Sequence, residues 1–111
     1  MAGIVWYSRS DVLGRDDRIG GRLAQSFWNS LGERLEQPET FAFVNRGVFL
    51  TLDDSPVIEA FRELEARGSR FLSCGTCLDY FGVRERLAVG EVGSMALLQE
   101  LMLEADKVIT L

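Results

Sequence analysis

The sequence predicts an α/β fold: a three-layer sandwich with a mostly parallel five-stranded sheet between helices. Short apolar segments rich in β-formers alternate along the chain with segments whose apolar residues recur at helical spacing. The short segments are continuously apolar, as expected of strands that are covered on both faces. Parallel neighbours need crossover connections, and the predicted helices supply them. A length of 111 residues, 47% of them hydrophobic, suits a single domain over 1–111.

The first elements are two strands and one helix. Residues 4–7 form a short apolar run of β-formers and are predicted as the first strand. Residues 8–21 contain three aspartates and three glycines and are predicted as a loop, either a mobile lid or a solvated surface segment. Apolar residues at helical spacing predict a helix over 21–34. The apolar run over 41–44, which residues 45–47 close, predicts the second strand.

The clearest helix begins after Ser55, which is predicted as its N-cap. Pro56 then takes the first helical position, and Gly68 lies where a C-terminal cap belongs. The pattern of strand and helix repeats to the end of the chain. In order, the remaining predicted elements are a strand over 71–73, a helix from near Cys77, a strand over 87–89, a helix over 95–105 and a strand over 108–111.

Charge, hydropathy and cysteine content argue against several classes of protein. The net charge is −5 and acidic residues are interspersed with arginines, which argues against a nucleic-acid-binding surface. No apolar run approaches the roughly 20 residues that cross a bilayer, so no membrane role is predicted. Two cysteines three positions apart do not build a disulfide framework, and no signal segment is recognised. A cytoplasmic protein is therefore predicted.

The most informative residues are Cys74 and Cys77, which are predicted as the catalytic pair at the end of the third strand. The chain has no histidine, so the usual general base and the commonest metal ligand are both missing. In open α/β sheets, ligands bind outside the carboxyl ends of the strands. A helix that opens at Cys77 would favour the thiolate and lower its pKa. The chemistry is therefore assigned to these thiols.

Four neighbouring positions are predicted to line the pocket or to bind an anion: Asn45, Gly75, Thr76 and Ser94. Gly75 suits a tight turn or the close approach of a ligand, and Thr76 could donate a hydrogen bond to a sulfur. Asn45 begins a turn with Arg46 that either places an amide and a guanidinium beside the thiols or simply ends the strand. Ser94 precedes a helix whose N-terminus could bind an anion, and it serves equally well as the N-cap.

Two simpler interpretations compete with a reactive thiol pair. A free cysteine is often only a small buried hydrophobe, and two of them occur three positions apart by chance. A structural zinc site needs four ligands, whereas one Cys-x-x-Cys without histidine supplies two. A metal would require carboxylates or a second copy of the chain, so neither a metal nor a cofactor is predicted.

Several segments together carry a likeness to a known family: Ser10-Asp11 with Gly14 and Asp16-Asp17, Asn45-x-Gly47-Val48, Leu72 to Tyr80, Val89 to Val92 with Met95, and Ala105 to Ile109. The chain resembles, nearly end to end, the DsrE-like domain of the YedF family, selenium-metabolism proteins related to sulfur-relay proteins. The cysteine segment is the most specific part of the resemblance. It implies a DsrE-like α/β fold and sulfur, or alternatively selenium, carried on cysteine as a persulfide or selenosulfide. Two departures, Arg46 and Gly93-Ser94, do not touch the thiols.

The predicted function is a cysteine-dependent sulfur carrier or sulfurtransferase-type relay protein, with the persulfide formed on Cys74-Gly75-Thr76-Cys77. The first alternative is a dithiol/disulfide oxidoreductase, which is weakened because the flanking Trp and Pro of thioredoxin-like motifs are missing. The second alternative is a non-catalytic module that binds a small molecule or a partner and has pocket-lining thiols. The residues leave open which cysteine carries the cargo and whether the cargo is sulfur or selenium.

The predicted partners are sulfur donor and acceptor proteins and further copies of the chain. Family members often carry a TusA-like domain before this one, and the sequence does not contain it, which indicates a fragment or a short variant. A TusA-like domain is therefore a candidate partner. Self-association is predicted because residues 48–50 lie outside the predicted sheet and Phe27 with Trp28 makes the first helix apolar over more than one face. Small oligomers are also common among DsrE-like proteins.

Overall fold

A computed structural model describes residues 3–111 of the chain. Its strands are β1 (Ile4–Ser8), β2 (Thr40–Phe43), β3 (Arg70–Cys74), β4 (Glu91–Gly93) and β5 (Lys107–Thr110). Its α-helices are α1 (Asp17–Arg34), α2 (Ile58–Ala66), α3 (Gly75–Phe81) and α4 (Met95–Glu104). Short 3-10 helices cover Asn45–Thr51 and Arg84–Arg86. Within residues 3–111, no helix is both long enough and apolar enough to span a membrane.

The five strands form one sheet in the order β4-β3-β2-β1-β5. Every neighbouring pair is parallel, so the predicted α/β fold with a five-stranded sheet is confirmed. The chain steps from β1 to β4 in one direction, and α4 then returns it to pair β5 with β1. Because parallel crossovers are right-handed, α1, α2 and α3 cover one face of the sheet and α4 covers the other.

The two faces have separate cores. Trp28 of α1, Phe61 of α2 and Leu78 of α3 share the larger core. Leu98 of α4 packs with Leu72 of β3 in the smaller core on the opposite face. The α4 side is therefore covered by a single short helix, whereas three helices cover the other side.

The side chains of β3 alternate between these faces, as period-two strand geometry requires. Phe71 belongs to the larger core, and Leu72 and Cys74 belong to the smaller one. Ser73 points to the same side as Phe71. The strand therefore directs Cys74 into the core beneath α4.

The predicted strand over 87–89 is wrong. The fourth strand is Glu91–Gly93, and Leu87 forms only an isolated antiparallel bridge with Leu52. The segment over 87–89 is apolar because it is a connection that packs against the larger core. β4 lies at the edge of the sheet and exposes its first two residues, so hydropathy does not mark it as a strand.

Helix α1 begins earlier than predicted, at Asp17. The Asp16 carboxylate accepts hydrogen bonds from two backbone N–H groups of the first turn and caps the helix. The acidic loop predicted over 8–21 is therefore limited to residues 9–16, because Ser8 ends β1 and the later residues are helical.

Two further helix starts differ from the prediction. Helix α3 begins directly after β3, at Gly75 rather than near Cys77. Helix α2 begins at Ile58, and Ser55 instead accepts the N–H of Val57 in the preceding turn.

The apolar residues from which self-association was predicted pack inside their own chain. Val48 and Leu50 lie in the first 3-10 helix and are 0% and 3% exposed. Trp28 is 1% exposed, and Phe27 packs against the same core. These side chains fill the interior of their own chain, so they do not require a second copy.

Candidate functional site

Cys74 lies at the junction of β3 and α3 and is buried. It is the last residue of the strand and the N-cap residue of the helix. Its side chain points into the smaller core with Leu72 and Leu98, and it is 2% exposed. A sulfur in this position is shielded from a thiol that approaches from outside.

Cys77 lies in the first turn of α3 and is only partly buried. It contacts both cores, which places it at the carboxyl edge of the sheet, between the two layers. Both cysteines are free, and the Cys74 thiol is close enough to raise the pKa of Cys77. Cys77 is therefore the outer thiol and Cys74 the inner thiol of one pair.

A backbone N–H points at the outer thiol. The N–H of Asn45 donates a hydrogen bond to Cys77 Sγ over 3.1 Å. Asn45 follows β2, which is the neighbour of β3, and it has a φ of 52°. Asparagine adopts this left-handed conformation more readily than most residues. Asn45 thus reaches the site as predicted, but its main chain makes the contact.

Two buried hydroxyls anchor the 3-10 helix that begins at Asn45. Thr51 Oγ1 donates to the carbonyl oxygen of Val48 over 2.7 Å. Ser73 Oγ lies 2.9 Å from Thr51 Oγ1, and because the Thr51 proton is already used, Ser73 is the donor of this second hydrogen bond. Ser73 directly precedes Cys74 in β3. The hydroxyl pair therefore fixes the segment that carries Asn45 against the strand that leads to the thiols.

Burial raises the pKa of the Cys77 thiol above its ordinary value. The hydrogen bond from Asn45 lowers this pKa, and the adjacent Cys74 thiol raises it. The net direction is upward, which corrects the expectation that the start of the helix would favour the thiolate. Any stabilisation of the thiolate by the start of the short helix α3 is smaller than the cost of removing water from around Cys77 Sγ.

The rate of alkylation of Cys77 is expected to keep rising with pH above the range in which an ordinary thiol becomes fully ionised. Because its pKa is raised, the thiolate fraction still grows above about pH 8.5, the usual thiol pKa. The same shift makes the folded state less stable as pH rises through this range, since the folded thiol keeps its proton longer than the unfolded one.

The measurement is the rate of iodoacetamide labelling of Cys77 against pH in the wild type, read by peptide mass mapping, which keeps Cys74 in place. The same protein unfolded in urea provides the reference profile. A folded profile that levels off at the same pH as the unfolded one, or below it, would contradict the raised pKa.

Substitutions at Asn45 test whether the backbone N–H acts on the sulfur. Asn45→Gly keeps the N–H and accepts a positive φ, so labelling of Cys77 is expected to stay near the wild-type rate. Asn45→Val strains the same conformation and should lower the free energy of unfolding by about 1–3 kcal/mol and slow labelling. Labelling kinetics at fixed pH and urea unfolding measure the two effects. Equal labelling rates in both variants would speak against the contact.

Cys77 opens into a groove of about 360 Å³ at the carboxyl edge of the sheet. Strand β1 contributes Tyr7, and the segment that follows β2 contributes Val44 and Asn45. The helices contribute Thr76, Cys77, Tyr80, Phe81 and Met95. The groove thus joins the outer thiol to an aromatic and thioether surface, with the Asn45 N–H directed at the sulfur.

A second groove of about 360 Å³ lies beside the first and shares Thr76 with it. It is lined by Gly75 and Ser94, and by Asp79 with Arg84, whose Nε donates to the carboxylate over 2.7 Å. This ion pair lowers the pKa of the Asp79 carboxyl. Ser94 caps α4 by accepting the N–H of a first-turn residue. Of the four predicted pocket positions, only two therefore line the Cys77 groove.

Arg46 lines a third cavity of about 310 Å³ rather than the Cys77 groove. Its guanidinium lies 3.4 Å from the Asp11 carboxylate and 4.8 Å from the ring centroid of Phe49. The Arg46 guanidinium therefore does not lie beside the thiols, which was one of the two alternatives predicted for residues 45–47.

Sequence reasoning missed the apolar walls of the groove. Tyr80 lies three positions after Cys77 on a helix, and this spacing could have indicated that the two side chains share a surface. Tyr7 lies near the end of β1 and reaches the groove only because β1, β2 and β3 are neighbours in the sheet. No local pattern in the sequence carries that information.

In the part of the chain that the structure describes, residues 3–111, no three Cys, Asp or Glu side chains come together as a ligand set. A structural zinc site normally needs four such ligands.

Comparison with known families places the chain among its relatives. The sequence profile of the DsrE/DsrF-like family matches residues 38–111, a range that includes both cysteines. The chain belongs to the DsrE/DsrF-like family. This membership confirms the broader part of the resemblance seen in the sequence, and the YedF subfamily stays a prediction. No curated protein matches this DsrE/DsrF-like chain.

Solved structures show the same fold as this DsrE/DsrF-like chain. The ychN protein from E. coli is 21% identical, with all of both chains covered and a TM-score of 0.76. A protein of unknown function from Methanobacterium thermoautotrophicum is 20% identical, again with full coverage of both chains, at a TM-score of 0.71. One from Bacteroides thetaiotaomicron is 15% identical over 97% of this chain and 94% of its own, at 0.64.

Proposed function

We propose that this chain is a cysteine-dependent sulfur carrier and that Cys77 holds the sulfur as a persulfide. One observation carries the proposal: Cys77 is the outer thiol, and the Asn45 N–H lies 3.1 Å from its sulfur. A donor in this position stabilises a negatively charged sulfur during transfer. Membership of the DsrE/DsrF-like family supports the same chemistry, because the resemblance to sulfur-relay proteins implies a carrier cysteine.

The transfer step needs no oxidant. The Cys77 thiolate attacks the outer sulfur of a donor persulfide, and a new S–S bond forms to Cys77 Sγ while the S–S bond of the donor breaks. The donor leaves as a thiolate and takes up the proton that Cys77 gave to solvent. An acceptor thiolate then attacks the same outer sulfur, and Cys77 returns to its starting state.

Cys74 acts in this proposal as a slow resolving thiol. If its sulfur attacked the inner sulfur of the Cys77 persulfide, a Cys74–Cys77 disulfide would form and hydrosulfide would leave. Cys74 is 2% exposed and its side chain points into the smaller core rather than into the Cys77 groove, so this attack requires a local rearrangement and is slow. The inner thiol thus limits the lifetime of the cargo without preventing its transfer.

A dithiol/disulfide oxidoreductase is the second candidate function. One observation favours it: Cys74 and Cys77 are both free and lie three positions apart at the start of α3, with both side chains packed in or against the smaller core. In that function the pair would lose two electrons and two protons to a substrate disulfide, which would be reduced to two thiols.

The proposed partners are a persulfide donor and an acceptor thiol on proteins of the cytoplasm, with a TusA-like domain as one candidate. Selenium in place of sulfur is the finer proposal that the resemblance to the YedF family suggests. Self-association is proposed through the α4 side, where Leu103 is 86% exposed and only one helix covers the sheet.

Intact mass after incubation with a persulfide donor tests the proposed function. A gain of about 32 Da per sulfur that a reductant removes, and that an added acceptor thiol takes over, is the result expected of a carrier. A loss of about 2 Da instead, with both cysteines required, would favour the oxidoreductase. No change in mass in the wild type would contradict both functions.

A further inference from the structure

The Cys77 groove offers no counter-charge to a substrate. Among the described residues, none of those that line it is Asp, Glu, Lys or Arg. Its polar groups are the Asn45 N–H, which is directed at the sulfur, and neutral hydroxyls and amides. A charged group that entered the groove would give up water and gain no ionic partner there, which costs free energy.

Two arginines near the groove are paired. In the adjoining groove, Arg84 lies 2.7 Å from the Asp79 carboxylate. On the far side of Asn45, Arg46 lies 3.4 Å from Asp11. Each guanidinium therefore has a carboxylate partner in its own chain, with which a charged ligand would have to compete.

The rim of the groove includes two exposed apolar side chains. Tyr80 is 82% exposed and Met95 is 48% exposed. Tyrosine and methionine are enriched in the contact surfaces of protein partners, and methionine adapts its shape to the groups that cover it. A rim of this kind gains most when an apolar segment of a chain lies along it.

We infer that the sulfur reaches or leaves Cys77 on a cysteine set in an uncharged, apolar segment of a partner protein, and that charged small thiols are poor substrates. The inference rests on the proposed function and adds the substrate class. A small thiol that carries carboxylate or ammonium groups would have to desolvate them beside Tyr80 and Met95. An aliphatic segment would instead cover these side chains and leave its backbone groups facing water.

Three activated peptides of equal length test this inference on the Cys74→Ala variant. Each has a central cysteine as a mixed disulfide with pyridine-2-thiol, flanked on both sides by leucine, glutamate or lysine. Cys77 attacks the peptide sulfur, a new S–S bond forms, and pyridine-2-thione leaves with the electron pair of the broken bond. The rate of thione release is divided by the rate for the same variant unfolded in urea, so that intrinsic reactivity cancels.

The leucine peptide is expected to react faster than both charged peptides, by about tenfold or more, after this normalisation. The rates are measured in about 0.5 M salt, which screens the long-range attraction or repulsion between the peptides and the net charge of the protein. A fastest rate with the lysine peptide would overturn the inference, because overall charge would then govern the reaction. Equal rates for the three peptides would overturn it as well.

A charge placed on the rim gives an independent check. Tyr80→Lys should shift the preference toward the glutamate peptide, whereas Tyr80→Phe should keep the wild-type order. An unchanged order in Tyr80→Lys would contradict the inference. Persulfide loading measured by intact mass is a separate readout. A protein that loads sulfur from every donor equally would still be a sulfur carrier, and only the inferred preference for apolar partner segments would be wrong.

Discussion

Cys77→Ser is expected to lower the rate of persulfide loading by about a hundredfold or more, because a serine hydroxyl does not replace a thiolate as the attacking group. Cys77 is partly exposed, so the substitution should leave the fold intact. The measurement is the reducible mass gain against time after addition of a persulfide donor, compared with the wild type.

Cys74→Ala is the matched control for this prediction. Alanine suits the buried position of Cys74 better than serine, since a hydroxyl placed in the smaller core would lack a partner. The variant should load sulfur at a rate near that of the wild type and hold it longer, because no second thiol expels hydrosulfide. Loss of loading in Cys74→Ala with retention in Cys77→Ser would reverse the proposed roles.

Gly90→Ala is expected to lower the free energy of unfolding by about 3 kcal/mol or more. Gly90 has a φ of +75°, and an added Cβ would lie closer than 3.0 Å to the carbonyl oxygen and Cβ of Phe71. Phe71 belongs to the interior strand β3, which cannot move without breaking its pairing to β2. The turn that feeds β4 would therefore be displaced, and urea unfolding measures the cost.

Gly82→Ala separates conformational strain from the clash. Gly82 also has a positive φ, +67°, but nothing lies within 4 Å of an added Cβ. This variant should lose only about 1 kcal/mol, the cost of left-handed backbone for alanine. Equal losses in the two variants would show that the close approach to Phe71 is not a source of the effect at Gly90.

Most of the fold could be predicted because its signals are local. The apolar runs that became β1, β2 and β3 are continuous since both faces of these strands are covered. The run over 87–89 has the same composition, but it is apolar because it is a connection that packs against the larger core rather than a strand of the sheet. Composition alone does not separate these two causes, and the exposed edge strand β4 has no hydropathy signal at all.

The sequence predicted which residues carry the candidate site, but it did not predict how they are arranged. The spacing of Cys74 and Cys77 and their place after a strand identified the thiols. Which of them faces solvent depends on the alternation of β3 and on the start of α3, which the sequence placed two residues too late. The Asn45 N–H reaches the sulfur because β2 and β3 are neighbours and because φ is positive there, and neither property is visible in the sequence.

The most direct test of the account is to locate the sulfur soon after loading. Wild-type protein is exposed briefly to a persulfide donor, quenched with an alkylating agent, and digested for peptide mass mapping. The account predicts that the alkylated persulfide is found first on Cys77, with a Cys74–Cys77 disulfide and hydrosulfide appearing only later. A persulfide found first on Cys74, or a disulfide that forms without any earlier persulfide, would contradict it.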